Sequence, residues 1–202
     1  MFDRAGSRKY LNATERGAFF RAAKNEAATH LRAFMLTLLF TGCRISEALN
    51  LPIKRIDFAE KTLVFETLKR RTPGHFRSVP VPDDLLDLLR TCARGKKGTA
   101  RVWGFSRPTG YRLVKLYMAR ARITGAMASP KGLRHGFAIA CVEEKIPLTT
   151  IRKWLGHARL ETTAIYLEFA GQEERQLAKR LWKNLFKKAQ KRLVRKASRR
   201  SV

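Results

Sequence analysis

Arg44 follows a glycine turn in "TGCRISEALNL", with Glu47 three residues on. Arg134 and His135 stand together in "LRHGFAIA", just after Lys131. His157 comes twenty-three residues after Arg134, in "WLGHARLETTAIY", and Tyr166 closes that stretch nine residues later. Guanidinium forks match pairs of anionic oxygens, and an imidazole exchanges protons near neutral pH. A phenol, with a reference pKa of about 10, attacks only where something favours its ionisation or takes its proton. Lys131 and Arg134, three apart on one expected helix, share a face. Tyr166 points to the same region if the helices that carry these residues pack antiparallel. An isolated arginine at a helix start is more often a surface group, so Arg44 takes its weight from this company.

The rest of the composition says what such a set would act on. Lys and Arg number 43 against 16 Asp and Glu, a formal charge of +27, and the isoelectric point is about 11.2. The natural partner of such a chain is a polyanion. Its longest apolar run, Ala33 to Phe40 with Thr37 inside it, is far short of the roughly 18 residues that span a bilayer, so nucleic acid is favoured over membrane. "MFDRAGSRKY" has no apolar signal region, and the chain is expected in the cytoplasm, associated with the nucleoid. Cys43, Cys92 and Cys141 are odd in number and widely spaced, which argues for reduced, mostly buried thiols rather than a disulfide framework or metal site. A length of 202 residues with 45% hydrophobic content supports one good core.

The elements that must position the set read mostly as helices. Asn12 and Glu15 are spaced as a capping box ahead of "RGAFFRAA". "HLRAFMLTLLF" runs to Gly42, where glycine can supply the positive φ of a helix stop. "RIDFAEKTLVFETLKRRTPGHFRSVPVP" alternates β-branched and aromatic residues around turn signals and predicts a small antiparallel sheet. Helical pattern returns at "DDLLDLLRTCAR" and "RPTGYRLVKLYMARARITG" and continues, with Tyr166 expected on the helix "LETTAIYLEF". From Gly171 to Val202 the chain carries twelve Lys and Arg against two Glu. Leu177, Leu181 and Leu185, with Trp182 and Phe186, make an apolar stripe on this basic segment. The stripe packs either on its own domain or on a neighbouring protomer, and beyond Lys187 the charge run should bind phosphate in a salt-sensitive way.

"TGCRISEALNL", "LRHGFAIA" and "WLGHARLETTAIY", in that order, resemble the tyrosine recombinases, or phage-type integrases, from about Tyr10 to Tyr166. The resemblance implies an α+β, predominantly helical catalytic domain over residues 1–170 with a three-stranded antiparallel sheet, followed by a basic segment over 171–202. It implies that Arg44 and Arg134 clamp a phosphate, that His157 is the third-position histidine and that Tyr166 is the nucleophile. The family's catalytic lysine lies on the turn between the second and third strands, here "TLKRRTPGHF", where Lys69 stands. The position three before the second arginine, often histidine in the family, is Lys131 here, and as a normally protonated group it is read first as a phosphate contact. Glu47 and His135 are counted as supporting residues.

On this resemblance the chain would cleave and rejoin double-stranded DNA through a 3′-phosphotyrosyl link, needing no metal or ATP and no other cofactor. It would assemble as a dimer or tetramer on DNA, with accessory DNA-binding proteins where the reaction needs them. Family members usually carry a helical clamp domain before the catalytic one. Met1 is then the start either of a minimal member or of a truncated chain. If residues 171–186 pack into a neighbour, as the helix after the nucleophile often does in the family, the free chain is expected to be monomeric with an open groove and Tyr166 to be held away from the phosphate until DNA and a partner arrive. A rival from another class reads "IPLTTIRKWLGHARLETTAIYLEF" as a helix-turn-helix with Gly156 in its turn, making the chain a basic DNA-binding regulator, or a degenerate recombinase, without chemistry.

Overall fold

A capping box sets the first helix: in the computed structural model Asn12 Oδ1 accepts from the Glu15 amide at 2.8 Å, and Glu15 Oε2 accepts from the Asn12 amide at 2.9 Å. The structure describes residues 2–67, 74–169, 178–179 and 181–183. Helix α1 spans Ala13–Lys24. The apolar helix α2, Thr29–Thr41, follows, buried along most of its length. Thr37 and Thr41 are tolerated inside it because their buried hydroxyls are satisfied, donating to the Ala33 and Thr37 carbonyls.

Gly42 ends α2 at φ 57°. A Cβ there would lie 2.4 Å from Phe137 Cδ1, so this residue supplies both the left-handed stop and the room for a neighbouring helix. The short α3, Ile45–Leu49, begins at once with Arg44 as its N-cap.

Strands β1 (Ile56–Asp57), β2 (Thr62–Glu66) and β3 (Phe76–Pro80) form the expected antiparallel sheet in sequence order. The register pairs Leu63 with Val79 and Phe65 with Arg77. All four side chains are buried, which places an arginine where the strand pattern calls for an apolar residue. Lys69 falls on the connection between β2 and β3 and lies outside the described residues.

Helix α4 spans Asp83–Ala93, with Asp83 and Asp84 in its first turn, and α5 spans Arg107–Arg120 behind the Ser106 cap. Helix α6, Pro130–Glu143, is capped by Ser129, whose hydroxyl accepts from the Gly132 amide at 3.1 Å. Helix α7, Leu148–Leu155, stops at Gly156.

The main core gathers around α2, which packs against α1, α4 and α6. Phe34 meets Trp103 and Phe105 edge-on at 5.1 and 5.4 Å, and the Trp103 indole donates to the Ala48 carbonyl at 2.8 Å. A smaller cluster joins α6 and α7 through Ile139, Val142, Ile151 and Leu155, and includes Tyr166. No helix among the described residues is long and apolar enough to cross a membrane.

The region after α7 departs from expectation. Helix α8 covers only Glu161–Ala164, and Tyr166 lies in the turn between it and a 3-10 turn at Leu167–Phe169. Three of the four residues at 162–165 are β-branched, which disfavours a long helix. A single helical turn has no face to lay along a major groove, so the helix-turn-helix reading loses its recognition helix. Of the basic segment, residues 178–179 and 181–183 are helical, with Leu181 and Trp182 exposed. The rest of the stripe, and the run from Lys187, lie outside the described residues.

Gly42→Ala should cost about 1–3 kcal/mol through its positive φ, with the Phe137 clash adding to it. A urea midpoint equal to that of the unchanged chain would contradict this account of the α2 stop.

Candidate active site

Arg44, Lys131, Arg134, His135, His157 and Tyr166 line one cavity of about 590 Å³. Four places in the chain, separated by up to 122 residues, converge there. The tyrosine is packed into the same wall as the arginines, because its ring is a member of the α6–α7 core.

Arg134 leaves α6 with its guanidinium held at two points. Nη1 donates to the Gly42 carbonyl at 2.8 Å and Nη2 to the Leu155 carbonyl at 2.7 Å. These are the terminal regions of α2 and α7, whose last carbonyls have no partner within their own helices. Other N–H donors of the five on a guanidinium remain for a ligand. Burial, followed by the charge of Arg44, lowers Arg134 to about 10, so it stays cationic at neutral pH.

Arg44 is placed by Glu47. Its Nη1 donates to Glu47 Oε1 at 2.7 Å and its amide donates to Oε2 at 2.8 Å. The Glu47 side chain is fully buried and takes a second cation, Arg77, at 2.5 Å. Burial pushes Glu47 up, but the charge and hydrogen bond of Arg77, helped by Arg44, hold it below the usual carboxylate range.

Arg77 is a residue that the sequence reading passed over. Its Nε donates to the Trp154 carbonyl at 2.7 Å and its Nη1 to Thr67 Oγ1 at 3.1 Å. One buried side chain thus joins β3, the end of β2, α3 and the end of α7. Gly156 fits this junction for two reasons: its φ is 65°, and a Cβ would approach Arg77 Cδ and Thr67 Oγ1 to 3.0 Å. The available signal was phase, since Arg77 alternates with Val79 on the strand face that faces inward. Arg107, at the start of α5, adds a further overlooked cation to the cavity wall.

The two histidines are fixed differently. His157 Nδ1 shares a hydrogen bond with Thr163 Oγ1 at 2.9 Å, and its ring lies nearly parallel to Tyr166, 13° between planes and 6.2 Å between centroids. His135 Nδ1 is 2.9 Å from Tyr166 Oη, with the rings inclined at 51°. Burial, then the charges of Arg134 and Arg44, lower His157 to about 3. Burial, then Lys131 and Arg134, lower His135 to about 4. Both imidazoles are therefore neutral at neutral pH, among fixed cations.

Tyr166 is 1% exposed. Burial raises its phenol against the opposing pull of Arg134 and Arg44, so it is protonated in the free chain. A second cleft, of about 180 Å³, lies between the sheet and α7, lined by Thr67, His75, Arg77 and His157. Thr67 and His75, on either side of the Lys69 connection, thus share this cleft with His157.

The lowered Glu47 adds stability that is whole above its unfolded pKa and fades as pH falls through the lower folded value. Glu47→Gln leaves Arg77 buried beside a neutral group and should cost about 3–5 kcal/mol at neutral pH. The difference from the unchanged chain should shrink in urea melts near pH 3. An equal loss at both pH values would show that this carboxylate is not the partner that matters.

The family model described as the phage integrase family matches residues 9–173. The chain is 32% identical over 145 residues to tyrosine recombinase XerA of Pyrococcus furiosus, covering 67% of this chain and 49% of that protein. Among solved structures, XerH site-specific recombinase bound to a palindromic difH substrate, a post-cleavage complex, aligns with a TM-score of 0.69 at 25% identity over 87% of this chain and 54% of that one. The catalytic domain of bacteriophage HP1 integrase aligns at a TM-score of 0.62 and 24% identity, covering 79% of this chain and 87% of that domain. The chain spans about half the length of the curated relatives it matches. With a family match over most of its residues and a cationic, tyrosine-containing cavity at its centre, the chain belongs to the phage integrase family.

Proposed function

We propose that this chain supplies the catalytic domain of a site-specific DNA recombinase, which cleaves and rejoins strands through a covalent 3′-phosphotyrosyl intermediate. The observation that carries the reading is the convergence of Arg44, Arg134, His157 and Tyr166 on one cavity in a chain of charge +27. A phosphodiester seated there would place its non-bridging oxygens between the two guanidiniums, where charge grows as the pentavalent transition state forms. Tyr166 Oη attacks phosphorus, the bond to the 5′ oxygen breaks, and the phosphate remains on the protein. The new ester retains the bond energy, so rejoining by a 5′ hydroxyl needs no ATP, and the arginines supply charge stabilisation for which other enzymes use a metal ion.

Lys69 is assigned as the acid that protonates the leaving 5′ oxygen. Its support is the resemblance of "TLKRRTPGHF" to the family's lysine turn and the position of Thr67 and His75 beside His157. Lys131, exposed at the cavity mouth, is assigned as a phosphate contact. His157 hydrogen-bonds the phosphate or holds the tyrosine ring it lies against.

Residues 1–170 form the catalytic unit in this reading, and 171–202 serve assembly and DNA affinity. Leu181 and Trp182, exposed on a basic segment, suit a dimer or tetramer formed on DNA. Accessory DNA-binding proteins are admitted where two sites must be brought together. The XerH structure named above is a post-cleavage complex with a palindromic difH substrate, which supports strand cleavage of double-stranded DNA here; such a substrate would place the chain on the nucleoid in the cytoplasm.

DNA recovered from cells should be covalently attached to the unchanged chain and absent from Tyr166→Phe, with DNA binding retained by both. Attachment in both would remove Tyr166 from the role of nucleophile. Deleting residues 187–202, which carry eight Lys and Arg, should weaken binding and flatten its dependence on salt. An unchanged salt slope would take the tail out of the DNA contact.

A further inference from the structure

The roles assigned above leave one proton without a destination. When Tyr166 attacks phosphorus its O–H bond must break, and guanidinium groups offer only donors. The lysine assigned to the 5′ oxygen serves the other end of the reaction. Of the cavity's imidazoles, His157 lies parallel to the tyrosine ring and spends Nδ1 on Thr163 Oγ1. His135 is the one hydrogen-bonded to the phenol, Nδ1 to Oη at 2.9 Å, within the range over which a general base takes a proton directly. Successive residues of a helix project about 100° apart, which lets neighbouring Arg134 turn to the Gly42 and Leu155 carbonyls while His135 turns to Tyr166.

We propose that His135 Nδ1 accepts the phenolic proton of Tyr166 during strand cleavage and returns it during rejoining. This inference rests on the recombinase reading and deepens it. In cleavage the Tyr166 O–H electron pair becomes the new Oη–P bond, and the proton passes to Nδ1. The P–O5′ bond breaks, and that oxygen takes a proton from the acid on its own side. Rejoining runs the same transfers backwards, so His135–H donates to Tyr166 as it leaves.

The groups facing His135 fit that cycle. Lys131 and Arg134 from its own helix and Lys9 from the N-terminal segment oppose its protonation, and His157 beyond the tyrosine is neutral. Nδ1 therefore carries a lone pair in the resting site when the other ring nitrogen bears the hydrogen. A bound phosphate, gaining negative charge between Arg44 and Arg134 as Oη bonds to it, favours the imidazolium at that moment.

A histidine that merely holds the ring in place would make the same bond, so the test separates acceptor from base. His135→Asn puts an amide oxygen near the Nδ1 position, able to accept a hydrogen bond but not to keep a proton; His135→Ala removes both. Single-turnover formation of the DNA adduct is followed against pH, on target DNA recovered from adducts of the unchanged chain. The unchanged chain should lose rate in acid as His135 protonates and level off near neutrality. His135→Asn should be slower by about 10²–10⁴-fold at neutral pH, with a rate that climbs in proportion to hydroxide.

A His135→Asn rate equal to the unchanged chain's, or one lowered by the same factor at every pH, would overturn the proposal in favour of a holding role. Should neither variant melt like a folded protein, the unchanged chain decides alone: a rate still climbing in proportion to hydroxide through neutrality means the phenol ionises without an internal base. Failure of the unchanged chain to form any adduct on DNA it binds would strike at the recombinase reading itself. Unchanged-chain adducts with an unaltered His135→Asn profile overturn only the role of His135.

Discussion

The Glu47 carboxylate, buried between Arg44 and Arg77, is the interaction on which the rest of the site depends. Removing a carboxylate and a guanidinium from water costs several kcal/mol for each ion, and only close, multiply bonded geometry offsets that. The site meets this condition by giving Arg77 three further tasks: a bond to Thr67 at the end of β2, a bond to the Trp154 carbonyl at the end of α7, and a place over the Phe65 ring. The consequence is positional. Arg44 is set by Glu47, Glu47 by Arg77, and Arg77 by the sheet and α7. The end of α7 in turn supplies the Leu155 carbonyl that holds Arg134, so both Arg44 and Arg134 are referred to one buried junction.

Around that junction the charged and neutral groups divide the work. Arg44 and Arg134 are permanent cations whose orientation is fixed by a carboxylate and by two backbone carbonyls. His157 is kept neutral by burial and by those same cations, and His135 by burial and by Lys131 and Arg134. Charge stabilisation needs groups that do not change state or reorient as the reaction proceeds. Proton transfer needs groups that do change state, and an imidazole with an empty acceptor site is one. The tyrosine is shielded by the same arrangement: in the α6–α7 core its phenol stays protonated, and in the proposed reaction an anion between the arginines is what would favour its loss of a proton.

Much of this was legible in the sequence because it is local. The Asn12–Glu15 box, the stop at Gly42 and the alternation of "TLVFE" and "FRSVP" each involve neighbours along the chain, and the elements fall where those signals lie. Arg44, Arg134, His157 and Tyr166 stand out in the sequence by motif context, and their convergence on one cavity is seen only in the fold. What was not legible is long-range. Arg77 reads as one more cation in a very basic chain until the strand register turns it inward against Glu47, thirty residues earlier. The helix expected through Tyr166 was misjudged for a related reason: Thr163 is drawn in to hydrogen-bond His157, and the β-branched run around it yields to that contact by ending the helix early.

The central claim is that Arg44 and Arg134 act by neutralising the phosphate that Tyr166 attacks. Its most direct measurement is cleavage of a target in which the scissile phosphate is replaced by an uncharged methylphosphonate, comparing the unchanged chain with Arg44→Ala and Arg134→Ala. The account predicts that each variant, crippled on natural DNA, regains much of its cleavage on the neutral linkage, because the charge it could no longer balance is gone. Variants that stay as inactive on methylphosphonate as on phosphate would contradict it, and would mean that these arginines serve the fold and not the reacting phosphate.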